Sequence, residues 1–117
     1  MERYNDNVKL VKRNIDYESL SVTRDKAIID EIVLLIAEVL TVDTPSYKIE
    51  GKDYSAEFVK DRMLKVNFEK LEAFLIEFER KTDKIHNMKA YLITSLFNMP
   101  STADATLSNT VKHDLYG

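Results

Sequence analysis

Asp25-Lys26-Ala27-Ile28-Ile29-Asp30-Glu31-Ile32-Val33-Leu34-Leu35-Ile36-Ala37-Glu38-Val39-Leu40-Thr41 is the stretch on which the fold turns. Ile28, Ile32, Leu35, Ile36 and Val39 recur at three- and four-residue intervals and form one stripe of a helix. Ile29, Val33 and Leu40 widen that stripe. An apolar arc this broad needs neighbours on more than one side, so residues 24–41 are expected as the central helix of the fold. The β-branched content would also suit a strand, but Asp30, Glu31, Ala37 and Glu38 gather on a polar face only at helical spacing. The run is too short and too charged for a bilayer span, which needs roughly 20 largely uncharged residues.

On the C-terminal side, Thr44-Pro45-Ser46 breaks the helix. Tyr47-Lys48-Ile49-Glu50 and Asp53-Tyr54 then flank Gly51-Lys52, a pair compatible with a two-residue hairpin turn having Gly first. A small β-hairpin around 47–54 is expected, with Tyr47, Ile49 and Tyr54 on one face. Such a hairpin is marginal alone and must pack on helices. Ser55 suits an N-cap for a helix over 56–66 with Val59, Met63 and Val66 inward. Asn67 suits the cap of the next helix, 68–80, whose stripe is Phe68, Leu71, Phe74, Leu75 and Phe78. A last helix is expected over 87–99, carrying Met88, Tyr91, Leu92, Leu96 and Met99, with Pro100 as its stop.

On the N-terminal side the pattern fades. Asp16 offers a cap for a short turn burying Ile15 and Leu20. Residues 1–14 are polar and mixed in charge, with Val8, Leu10 and Val11 scattered, and read as a linker remnant or N-terminal arm. The expected organisation is therefore an arm at 1–14, a helical domain at 15–100, and a Ser-, Thr- and Ala-rich C-terminal tail at 101–117. The fold class is mainly α: a compact domain of four to five helices with one small hairpin.

Composition agrees. The chain has 117 residues, 44% of them apolar, which suits one domain with its own core. Two glycines and two prolines are too few for an all-β domain needing frequent turns. The absence of cysteine excludes disulfide staples and thiolate metal sites and suits a reducing compartment. Met1-Glu2-Arg3-Tyr4-Asn5-Asp6 is not a signal peptide, and a cytoplasmic location with no membrane association is expected. With 17 basic and 20 acidic residues the net charge is −3. Strong phosphate-driven DNA binding needs a basic surface, so only weak or local DNA contact is expected.

The inventory for catalysis is thin. His86 and His113 are the two histidines, and neither stands in a zinc-binding His-Glu-x-x-His pattern. Asp83-x-x-His86 has helical spacing for a shared metal but reads first as an exposed pair at a helix start. No glycine-rich loop can cradle a phosphate, and no serine has a nucleophile-elbow setting. Carboxylates interleave with Lys60, Arg62, Lys70 and Arg80 as on a solvated helix face. No enzyme activity, cofactor or metal is expected. One cluster stands out: Arg80, Lys81, Lys84, His86 and Lys89, around the start of the last helix. That end already carries partial positive charge, so the cluster acts against local stability unless an anionic surface meets it. A solvated linker is the alternative.

Asn14-Ile15-Asp16-Tyr17, the long segment Lys84-Ile85-His86-Asn87-Met88-Lys89-Ala90-Tyr91-Leu92-Ile93-Thr94-Ser95-Leu96-Phe97-Asn98-Met99-Pro100-Ser101-Thr102, and the closing His113-Asp114-Leu115-Tyr116-Gly117 together carry a resemblance. They resemble the C-terminal domain of replication initiator protein A of plasmids and conjugative elements from Gram-positive bacteria, and residues 49–65 are similar to that family too. More distantly, Ile85-x-Asn87-x-x-Ala90-Tyr91-Leu92 is similar to the late helix of DnaD-type primosomal domains. Where those domains continue with an aliphatic residue and a tryptophan, this chain has Ser95 and Met99.

The resemblance implies a fragment whose origin DNA is read by a separate winged-helix domain. It also implies a domain that engages host replication proteins: helicase loader, helicase or primase. A homo-oligomerisation module without a host partner, or an auxiliary weak DNA-binding domain, are the alternatives. Lys84, Lys89 and Lys112 are the exposed contact candidates. Asn87 as cap, with Ile85 and Tyr91 packed around it, reads as structural.

Overall fold

The computed structural model describes residues 2–81 and 83–100. In chain order they form α1 (Glu2–Asn14), α2 (Tyr17–Thr23), α3 (Lys26–Thr41), β1 (Ser46–Ile49), β2 (Lys52–Ser55), α4 (Ala56–Leu64), α5 (Phe68–Arg80) and α6 (residues 88–100). The class is mainly α with one antiparallel hairpin, as the apolar periodicity requires.

α3 starts where Asp25 accepts a hydrogen bond from the Ala27 N–H at 3.0 Å, a side-chain cap for an otherwise orphaned donor. Ile29, Ile32, Val33 and Ile36 on this helix are essentially sealed from solvent. Ala37, expected on the polar face, is fully buried as well. Its small side chain leaves room for a neighbour, and its carbonyl accepts from Thr41 Oγ1 at 2.7 Å.

Residues 1–14, expected as a linker remnant or arm, need correction: from Glu2 they form α1, which packs along α3. Tyr4, Val8, Val11 and Ile15 are spaced four, three and four residues apart, so they share a face. Val11 and Ile15 on that face are buried. Asn7 Nδ2 donates to Thr41 Oγ1 at 2.9 Å and fixes the middle of α1 beside the end of α3. Asp16 does precede α2, but in the left-handed region (φ 52°) and without a capping bond from its side chain. Its short polar side chain makes that conformation tolerable.

The hairpin is present, with its turn one residue earlier than expected. Ile49 pairs with Lys52, so the two turn residues are Glu50 (φ 52°) and Gly51 (φ 80°). Two successive positive φ angles match the right-handed twist of the flanking strands. Tyr47 lies opposite Tyr54 and Ile49 is buried, so the expected inner face forms. Tyr47 Oη donates to the Val39 carbonyl at 3.1 Å, resting the hairpin on the end of α3.

Ser55 caps α4 by accepting from Phe58 N at 3.2 Å, and Asn67 caps α5 by accepting from Lys70 N at 3.0 Å. Val59, Met63, Val66, Leu71 and Leu75 complete the core on that side, joined by Leu92, Leu96 and Phe97 of α6. The expected tail at 101–117 lies outside the described residues.

Candidate docking surface

Asn87 begins α6. Its side-chain oxygen accepts from Ala90 N at 3.0 Å, the capping role anticipated for it. Ile85, just before, is half-buried. Tyr91 sits in an aromatic layer, with ring centroids 6.2 Å from both Phe74 and Phe78 of α5. The Lys81 ammonium lies 5.6 Å from the Tyr91 centroid, within cation–π range. Asn87 thus caps α6, and Tyr91 holds its first turn against α5.

Three members of the basic cluster have partners. Arg80 pairs with Glu77 at 3.4 Å, Lys81 covers Tyr91, and Lys89 Nζ reaches Glu38 Oε1 at 3.4 Å. Asp25, Glu79 and Asp83 line a cavity of about 370 Å³ together with Lys81, so acids interleave with the bases there. Lys84 and His86 are exposed, as is Asp83. Lys112 lies outside the described residues. Among those described, no group of three or more histidines and carboxylates is placed to hold a metal ion. No helix among them is long and apolar enough to cross a membrane.

What the sequence left unremarked lies along the flanks of α6. On one flank a cleft of about 290 Å³ opens between α1, α3 and α6, lined by Tyr4, Glu31, Leu34, Leu35, Glu38, Met88, Lys89 and Leu92. Leu34 keeps 48% of its surface exposed although it belongs to the central helix. Glu31, Leu34 and Glu38 are spaced three and four residues apart, which puts an outward leucine between two carboxylates on one face.

On the other flank a groove of about 530 Å³ runs between α5 and α6, lined by Glu69, Lys70, Ala73, Phe74, Ser95, Asn98 and Met99. Ala73 and Ser95 are small, and this lets the groove form between two packed helices.

The far end of α6 is tied down firmly. Arg62 Nε donates to the Phe97 carbonyl at 2.6 Å, and its guanidinium lies 4.8 Å from the Phe97 ring centroid and 5.5 Å from that of Phe58. Tyr54 and Phe97 have centroids 4.7 Å apart, so hairpin, α4 and α6 meet in one aromatic knot. Phe58, in that knot, is still 44% exposed.

Two tyrosines have hydroxyls held in the neutral form. Tyr17 donates to Asp30 Oδ1 at 2.5 Å, and this bond, with partial burial and the nearby Asp30 charge, raises its pKa above the ordinary 10.0. Tyr47 is raised by burial, with a further push from the Glu38 charge. Neither faces a constellation of reactive groups. Both serve to bind helix to helix or hairpin to helix.

No curated protein matches the chain. No solved structure matches it either. A protein-family match does cover the chain across residues 1–117, and on that match the chain belongs to DUF6017, described as a family of unknown function.

Proposed function

We propose that this chain is the C-terminal docking domain of a plasmid-type replication initiator, binding a host primosome protein (helicase loader, helicase or primase) to start DNA replication. The observation that carries this reading is the setting of α6. The segment bearing the resemblance to initiator C-terminal domains, residues 84–102, supplies this helix, and α6 walls an apolar cleft on one side and an apolar groove on the other. Clefts lined by helix faces are where partner helices insert their anchors. A net charge of −3 suits protein docking better than phosphate binding. The role implies a cytoplasmic location and leaves origin recognition to a separate DNA-binding domain.

Pull-down of the chain with purified helicase loader, helicase and primase tests the proposal. Saturable binding to one of them is expected, and no binding to any would remove its content. A second reading, self-association of initiator copies, draws on the apolar lining of the α5–α6 groove, where Phe74 and Met99 stand among small residues. Sedimentation that depends on concentration would favour it. DNA binding should be weak; tight binding with a steep salt dependence would overturn the charge argument.

A further inference from the structure

Leu34 is the one large apolar side chain that α3 turns outward. Half-buried Tyr4 and Met88 stand beside it in the cleft. Its helical neighbours on the same face, one turn before and one turn after, are Glu31 and Glu38. Lys89 compensates Glu38 across the cleft at 3.4 Å, whereas Glu31 has no ion-pair partner among the described residues. The rim thus carries two carboxylates against one ammonium. At about 290 Å³ the space sits at the low edge of the roughly 300–1,000 Å³ typical of small-molecule pockets, and it is shallow. Its scale suits an anchor side chain from a helix.

We propose that this cleft receives a basic amphipathic helix of a partner protein. One large aliphatic or aromatic side chain seats on Leu34 between Tyr4 and Met88. A lysine or arginine on either side, one helical turn away, meets Glu31 and Glu38. Lys89 is the resident competitor for Glu38 and is displaced on docking. The proposal rests on the docking-domain reading above and adds the surface and the chemistry of what binds there. It also reverses the sign expected of Lys89: a contact to an acidic partner would be lost on its removal, whereas a basic partner binds better without it.

Panning a display library of randomised helical peptides on the full chain, with counter-selection on Leu34→Glu, supplies the probe. Enriched peptides should carry a large apolar residue flanked by Lys or Arg. Their affinity should fall about tenfold on Leu34→Glu and about two- to fivefold on Glu31→Lys, and rise about twofold on Lys89→Ala. All three positions are exposed, and unchanged circular dichroism and melting temperature certify the folds.

Failure to enrich peptides beyond the Leu34→Glu control overturns the proposal. So does enrichment of acidic peptides that weaken on Lys89→Ala. If a replication protein binds wild type and Leu34→Glu equally, the cleft proposal falls and the docking-domain reading stands. If the peptides select as expected and none of the three replication proteins binds, the replication reading falls and the cleft stands.

Discussion

α3 and α6 are both apolar helices built into the same core, yet they are buried to different depths. α3 has nine buried residues and is packed against α1, α2 and α4, with Tyr47 of the hairpin bonded to its last turns. α6 buries Leu92, Leu96 and Phe97 deeply, while Met88, Tyr91, Ile93 and Met99 are only partly covered. A fully enclosed helix contributes stability and little else, because its side chains have no surface left to offer. A helix sealed along one stripe, with apolar shoulders on both sides, can hold the fold and still present contacts. The difference makes α3 the stabilising element and, on the docking proposal, leaves the flanks of α6 for recognition, with Leu34 the exception on α3 that faces the α6 side.

The sharpest way to break that division is within α3 itself. Ile32→Ala removes a side chain with no exposed surface and leaves a cavity, so unfolding in urea should show a loss of about 2–5 kcal/mol. Leu34→Ala, two residues on, removes a half-exposed side chain and should cost less than about 1 kcal/mol. Equal losses at the two positions would mean that Leu34 is part of the core, and the cleft would lose its reason to exist.

A smaller effect is expected where α6 begins. Asn87→Ala deletes the acceptor for Ala90 N and should cost about 1 kcal/mol. The loss should be local: hydrogen exchange should quicken in the first turns of α6 while the amides of α3 keep their protection. Uniform acceleration through both helices would show that they unfold as one unit, and the contrast between them would be one of geometry alone.

Much of this architecture was legible because apolar periodicity and capping residues speak the same language. The end of α3, the bounds of α5 and the caps at Ser55, Asn67 and Asn87 follow from a polar residue standing directly before or after an apolar stripe, whereas α3 starts at Lys26, after its cap Asp25, instead of at residue 24. α1 was missed because its stripe is diluted by charge: Tyr4, Val8, Val11 and Ile15 show their shared face only when the tyrosine is counted with the aliphatics. The hairpin turn slipped by one residue because a glycine was assumed to come first. Cross-strand pairing of Tyr47 with Tyr54 instead forces Glu50 into a positive φ angle.

The cleft was harder to read than either. In a run as apolar as residues 28–40, nothing local distinguishes the leucine that faces outward. Only the placement of α1 and α6 decides that the Glu31–Leu34–Glu38 face is left uncovered. In the basic cluster, Arg80, Lys81 and Lys89 meet separate partners in Glu77, the Tyr91 ring and Glu38, while Lys84 and His86 stay exposed.

The polar ties of α3 give the smallest and most specific effect. Tyr17 on α2 donates to Asp30 on α3, and the bond exists only while the phenol is protonated. Because its folded pKa is raised above 10.0, folding favours the protonated form. Its contribution is therefore fully present below about pH 10, the unfolded value, and is lost as pH rises through the raised folded value. Tyr17→Phe should cost less than about 1 kcal/mol at neutral pH, since the site is only half-buried and solvent competes for the bond. It should also flatten the decline in stability above pH 10 that Tyr17 imposes on the wild type. Asp30→Asn separates the two causes: an amide still accepts the hydrogen bond but carries no charge, so part of the raised pKa should disappear while much of the neutral-pH stability remains. A Tyr17→Phe profile parallel to wild type through the alkaline range would mean the α2–α3 tie rests on packing rather than on this proton.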